Sequence, residues 1–325
     1  VILALASLYI SYGTLPLVQA AFIGVKAAVV IVVLQALRKV SKKALKSSLS
    51  WGFAASAFLA IYVLQLPFPL IIAVAAIIGA LTASQESAAD QPIKHATSAS
   101  FGSTLRTIAV WGALWAAPVL FVAAIDHTFL LNIALFFSKL AVVTFGGAYA
   151  VLAYMTQTVS FEFGWISPRE MIDALGLAET TPGPLILVTE FVGLLAGYKE
   201  NGSGLMLAAG ALTLWCTFIP CFLWIFAAAP YVEQLLSQPR LRGALKAITA
   251  AVVGVILNLS IWFALHVIFG ETAQTKFGLM PKLQSFDIMA FSLVILSAAL
   301  LLWRQINLPL TLLICALAGV TLAQM

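Results

Sequence analysis

Long stretches of this chain carry no charge, and nothing else constrains its fold as tightly. Ser47 to Gln85, Thr107 to Ile125, Asn201 to Val232, Ala247 to Gly270, Ile288 to Trp303 and Gln305 to Met325 contain no Asp, Glu, Lys or Arg. A bilayer core takes about 20 apolar residues per helix, so these runs and the stretch Thr128 to Val159 supply roughly nine or ten crossings. Over 325 residues, 62% are hydrophobic and 9% charged, against roughly a quarter charged in a soluble domain. The expected fold is an all-α polytopic membrane protein of about 10 transmembrane helices.

The net charge of +5 does not point to nucleic acid, because Lys and Arg gather in short loops between apolar runs. That is the positive-inside pattern, and it places the loop carrying Arg38, Lys39, Lys42, Lys43 and Lys46 in the cytoplasm. Cys216, Cys221 and Cys315 lie inside apolar runs without CxxC spacing or a neighbouring His, so they read as small hydrophobes. No disulfide framework, metal or cofactor is indicated. No cleavable signal peptide is visible, and Val1 already lies inside an apolar helix.

Residues 84–106 are polar, rich in Ser and Ala, and unable to bury a core; they read as a cytoplasmic linker. The sequences on either side repeat. Gln65-Leu-Pro-Phe-Pro69-Leu70 with Ala76 and Gly79 matches Gln305-Ile-Asn-Leu-Pro309-Leu310 with Ala316 and Gly319 at an offset of 240. Pro16 and Ala28-Val29-Val30 match Pro239 and Ala251-Val252-Val253 at an offset of 223. Residues 1–83 thus read as the C-terminal part of a first repeat, 107–127 as a connecting transmembrane helix, and 128–325 as a complete second repeat. The partners of Thr128 to Ser237 would fall before residue 1, so roughly a hundred further residues are expected upstream, and internal duplication is a recurring way to build secondary transporters. One unpaired crossing between two copies would invert the second, and a parallel arrangement scores only slightly worse on the charges of the loops. Inversion sets Arg169, Arg240, Arg242, Lys246 and Arg304 inside, and Lys199, Lys276 and Lys282 outside.

The segment Thr128 to Tyr198 departs from plain lipid-facing helix. Gly146 and Gly147 sit within an apolar run, where each costs about 1 kcal/mol relative to Ala unless a break or close packing is wanted. Lys139 lies in the same run, where insertion costs roughly 2.5–3.5 kcal/mol, and helical spacing puts it on one face with Val143 and Gly146. Ser167-Pro168-Arg169-Glu170 is a capping box that starts a helix. Pro182-Gly183-Pro184 ends it near Thr181, and a second helix runs from about Leu185 to Tyr198. At about 1.5 Å per residue, each piece is about 20 Å long. This broken helix turns free N–H groups and a positive dipole end toward the membrane interior, a device suited to an anion. Glu179 and Glu190 flank the break. Either can carry a coupling proton, or one can simply neutralise Lys139. Gly193 and Gly197 read as a helix-packing face, and His266 as an interfacial residue.

Phe145-Gly-Gly147, Gly164-Trp-Ile-Ser167, Leu177-Ala-Glu-Thr-Thr-Pro-Gly-Pro-Leu185 and Phe191-Val-Gly193 resemble the second-half signature of the chromate ion transporter family, long two-domain type. Gly24-Val-Lys-Ala-Ala-Val29, Leu34-Gln-Ala36 and Phe218-Ile-Pro-Cys-Phe-Leu-Trp224 extend the resemblance over nearly the whole chain, with the half-one signature absent. The resemblance implies an antiporter in the bacterial inner membrane that exports chromate on the proton gradient, with sulfate as a competitor. The residues themselves indicate only a compact oxyanion. The substrate-binding candidates are Lys139, Phe145, Gly146, Gly147, Thr180, Thr181, Pro182, Gly183 and Pro184; Glu179 and Glu190 are the proton-coupling candidates. A sulfate carrier or a channel stays open, as does a homodimer. A membrane-embedded enzyme is disfavoured by the lack of HExxH or GxSxG and of His near the break.

Overall fold

The computed structural model describes residues 1–83, 101–144, 147–181, 183–232, 237–275 and 278–324, with backbone alone at 101 and 274. Its helices are α1 (Ile2–Tyr12), α2 (Pro16–Ala44), α3 (Ser48–Tyr62), α4 (Phe68–Leu81), α5 (Phe101–Ala124), α6 (Thr128–Val143), α7 (Ala148–Gln157), α8 (Pro168–Thr180), α9 (Val188–Ala228), α10 (Pro239–Ile268), α11 (Ile288–Ala298) and α12 (Leu308–Ala323). A short antiparallel pair, β1 (Thr272–Thr275) and β2 (Gly278–Pro281), follows α10. The all-α polytopic expectation holds. Pro16–Ala44, Gly102–Ala124, Leu185–Tyr231 and Pro239–Ile268 are each long and apolar enough to cross a membrane, and large apolar side chains such as Trp51, Ile77, Phe121 and Trp303 stand exposed. Helix α5 begins at Phe101, inside the stretch read as linker; residues 84–100 lie outside the described part.

Two long helices form the spine. α2 and α10, the helices matched at offset 223, pack side by side and run in opposite directions: Lys43 near the end of α2 and Arg242 near the start of α10 line one cleft. Four shorter helices pack crosswise on this spine. α3 and α4 lie on α10, whereas α11 and α12 lie on α2. Glycine permits these approaches. A Cβ at Gly24 of α2 would strike the backbone carbonyl of Cys315 in α12, and one at Gly79 of α4 would strike that of Gly243 in α10. Close backbone approach through small residues is the usual device in membranes, where lipid tails are as apolar as the side chains and helices gain little by hydrophobic contact alone.

The turns matched at offset 240 have the same geometry. Gln65 and Gln305 both adopt a φ of 53°, uncommon for a residue other than glycine. Leu66 N–H donates to the Ala60 carbonyl at 3.0 Å, and Ile306 N–H to that of Leu300 at 3.0 Å.

All of Lys43, Lys46, Arg242 and Lys246 sit at one end of the spine, called the basic end below. The β-pair lies at the other end, where Lys282 contacts Glu271 at 2.7 Å and holds its carboxyl below the usual carboxylate range. His266 stacks on Trp262 with 4.2 Å between ring centroids, at the end of α10 beside this pair.

Because Gly24 has no room for a side chain, Gly24→Ala should cost about 1–3 kcal/mol through overpacking. Gly52 faces open space, so Gly52→Ala should be neutral or stabilise by up to about 1 kcal/mol. Thermal unfolding of the two variants in detergent reads the difference; equal midpoints would refute the glycine contact.

Candidate functional site

Thr128 to Val159 does not cross the membrane as one helix. Continued straight, α6 and α7 would hold Phe136 and Tyr154 about 27 Å apart, yet their ring centroids are 5.8 Å apart. Phe129 at the start of α6 meets Trp165, beyond the end of α7, at 5.8 Å. The two helices therefore form a hairpin, α7 returning alongside α6. Gly147 is the N-cap of α7 with φ 111°, a conformation glycine adopts without strain; Phe145 and Gly146 lie outside the described residues.

The second break is a hairpin too: a helix resumes at Leu185 beyond Pro-Gly-Pro as expected, but in the reverse direction. Helix α8 starts on the expected capping box: Ser167 Oγ accepts from Glu170 N–H at 3.2 Å, and Glu170 Oε2 accepts from Ser167 N–H at 2.7 Å. It ends with Thr181 in extended geometry, φ −92° and ψ 136°, as a residue preceding proline prefers. The chain then turns back. Lys199 Nζ, near the far end of the returning arm, lies 3.0 and 2.7 Å from the two carboxylate oxygens of Glu170. Arg169 consequently shares an end with Lys199, against the expectation that they face opposite sides; reading the segment as one continued crossing had separated them. Beyond Lys199, non-helical Asn201 and Gly202 (φ 70°) split α9 into two arms. The arms pack through Gly193 against Thr213 and Gly197 against Leu205, the small-residue face expected there.

The turns of the two hairpins meet. Tyr149, two residues past Gly147, donates its hydroxyl proton to Glu179 Oε1 at 2.8 Å, one residue before Thr180. Tyr149 stands in the first turn of α7, which begins at Ala148, and Glu179 lies six residues before the 3₁₀ turn Leu185–Leu187 that leads into α9.

Around this junction the candidates divide. Lys139 is exposed, with Nζ 5.8 Å from the centroid of the Tyr154 ring, a cation–π distance. The ion pairs among the described residues are Lys26–Asp173, Lys199–Glu170 and Lys282–Glu271, so neither Glu179 nor Glu190 neutralises Lys139. Thr180 and Thr181 donate their hydroxyl protons to the carbonyls of Leu177 and Ala178 at 2.7 and 2.8 Å, closing the last turn of α8. Gly183 and Pro184 are exposed at the turn, and Pro182 lies outside the described residues. Glu190 is half-buried in the first turn of α9, where the helix dipole favours its carboxylate. A cavity of about 450 Å³ at the end opposite the basic one reaches Thr156 and Gln157 on the return of the first hairpin, and is closed by Tyr62, Asn258, Trp262 and His266.

The family model described as Chromate transporter matches residues 1–80 and 131–320. The chain belongs to the chromate transporter family. It is 28% identical over 323 residues to a probable chromate transport protein of Synechococcus elongatus, covering 98% of this chain and 73% of that protein. Chromate transport proteins of Cupriavidus metallidurans and Pseudomonas aeruginosa are 29% identical over 181 residues and 27% identical over 307, covering 55% and 92% of this chain and 43% and 66% of theirs. No solved structure matches it.

This family member also buries a charge cluster that sequence reasoning passed over. Lys26 Nζ of α2 lies 2.9 Å from Asp173 Oδ1 of α8, with side chains 19% and 8% exposed. Tyr9 of α1 donates to Asp173 Oδ2 at 2.8 Å, and its ring packs edge-on against Phe22 and Phe191 at 5.5 Å each. One turn on, Gly176 of α8 lies against Val25 of α2. The second hairpin is thus moored to the spine by an ion pair and a glycine contact. The signal was in the sequence: Lys26 is the first charged side chain after Val1, twelve residues before the next at position 38.

Removing one partner of a buried pair costs about 3–5 kcal/mol, whereas replacing both with apolar residues is often neutral. Asp173→Ala should therefore lower the unfolding midpoint far more than Lys26→Met combined with Asp173→Leu. A double variant as unstable as the single one would contradict the mooring role.

Proposed function

We propose that this chain carries chromate out of the cytoplasm across the bacterial inner membrane, using the proton gradient as an antiporter, and that the oxyanion binds where the two hairpin turns meet. The observation that carries this reading is the Tyr149–Glu179 contact at 2.8 Å. It brings two chain breaks together, with a helix N-terminus at each. In hydrocarbon, backbone leaves the helix only where protein or a water-filled cavity surrounds it, and free N–H groups at helix N-termini suit a compact tetrahedral anion. Lys139 stands one turn before the first break and, among the described residues, has no acidic partner, so it is available to a dianion. Gly147 and Gly183 let the oxyanion approach the backbone, with Thr180, Thr181 and Pro184 beside them; Phe145, Gly146 and Pro182 are proposed for the same site and lie outside the described residues. Curated relatives named as chromate transport proteins support chromate as the substrate.

Glu179 and Glu190 are the proposed proton sites. An ionised carboxylate beside the oxyanion repels it, so the protonation state of either acid changes anion affinity. The matched turns at Gln65 and Gln305 and the antiparallel α2 and α10 support two inverted copies, the architecture in which one body rocks against the other around a fixed site. With the basic end in the cytoplasm, both hairpins enter from the outer side.

Radiolabelled chromate uptake into everted vesicles tests the proposal. Lys139→Ala should cut uptake at least tenfold, the loss of about 1.4 kcal/mol of binding, with insertion intact; unchanged uptake would remove Lys139 from the site. Glu179→Gln or Glu190→Gln should flatten the response to an imposed pH gradient. If both retain the wild-type response, proton coupling does not run through these acids. Sulfate in excess should compete, and uptake of labelled sulfate in preference to chromate would favour the sulfate reading.

A further inference from the structure

At the basic end, the seam where α4 and the start of α3 meet α10 opens into a cleft of about 710 Å³. We infer that this cleft binds the phosphate headgroup of an anionic phospholipid between the two halves of the protein, at a site separate from the hairpin turns. Four cations line it: Lys43 and Lys46 from the α2–α3 side, Arg242 and Lys246 from α10. None of them belongs to an ion pair among the described residues. Arg242 is the most committed. It is half-buried, one terminal nitrogen donates to the Ser237 carbonyl at 3.3 Å, and its Nε is buried without a partner. A buried, unpaired guanidinium N–H is costly, and a phosphate oxygen is the acceptor that matches its fork.

The shape favours a lipid over a free oxyanion. The cations and the Ser47 and Ser50 hydroxyls stand at the helix ends, level with headgroups. Deeper along the same walls the lining turns apolar, with Phe53 of α3 and Ala247 and Ala250 of α10. Ala250 is eleven residues past Pro239, about 17 Å further into the membrane. A phosphate above with an acyl chain below fits this gradient, whereas an inorganic anion has no use for the apolar floor. Basic pockets between transmembrane helices at a cytoplasmic face are suited to such headgroups. No residue of the cleft belongs to the proposed transport site.

Native mass spectrometry of the purified chain, exchanged into mixed micelles of phosphatidylglycerol and phosphatidylcholine, tests the assignment. The wild type should retain phosphatidylglycerol preferentially, and Arg242→Gln with Lys246→Gln should weaken retention about fivefold for each charge removed. Lys43→Gln with Lys46→Gln, on the opposite wall, should act alike, and Lys39→Gln, outside the cleft, should have no effect. Equal retention of the two lipids, or retention by both double variants matching wild type, would overturn the site. Displacement of phosphatidylglycerol by millimolar inorganic phosphate would overturn the lipid in favour of a free anion.

Discussion

A peptide group inside hydrocarbon must find its hydrogen bonds within the protein, so a chain can stop being helical at depth only where other segments shelter it. This chain stops being helical twice within its apolar segments, between α6 and α7 and between α8 and α9. Each break is the turn of a hairpin with arms of about 15–24 Å, too short to cross, and each turn faces the other. The Tyr149 hydroxyl and Glu179 carboxylate close the junction at 2.8 Å. The outer ends are tied by aromatic contacts in one hairpin and by Lys199 with Glu170 in the other.

What keeps the hairpins in place is the spine. Helix α2 meets α8 through Lys26–Asp173 and through Gly176, and α10 carries α3 and α4. Crosswise packing makes the N-terminal and C-terminal helices interdependent, because α10 is covered by α3 and α4 and α2 by α11 and α12. Glycine–backbone contacts at Gly24 and Gly79 hold the spacing without any gain from apolar burial against lipid. The second hairpin thereby rests on the first half through a desolvated charge pair, which stays put only while both partners are present.

Much of this was legible in the sequence. The apolar runs gave the class, the Ser167 capping box placed the start of α8, and Pro182-Gly183-Pro184 placed its end. Direction after a break was not legible: proline and glycine say that a helix stops, but whether the next one continues or reverses depends on contacts such as Glu170 with Lys199, 29 residues apart. Helical periodicity placed Lys139 on one face with the glycine break, but not the Tyr154 ring that returns beside it. The Lys26–Asp173 pair joins residues nearly 150 apart, beyond any local pattern, although a lone lysine within an apolar helix marks a functional or structural partner somewhere. The offset of 240 was visible as letters and returns as matched backbone geometry at Gln65 and Gln305.

The meeting of the two hairpin turns is tested most directly by cysteine cross-linking. In a background with Cys216, Cys221 and Cys315 replaced by Ser, Tyr149→Cys with Glu179→Cys should be joined within one chain by a bifunctional bis-methanethiosulfonate reagent whose reach matches the two side chains it replaces, as should the control Glu170→Cys with Lys199→Cys at the outer end; these tip-to-tip contacts leave the Cα atoms beyond the reach of a direct disulfide. A control that is bridged while the Tyr149–Glu179 pair is not would contradict the arrangement of the turns.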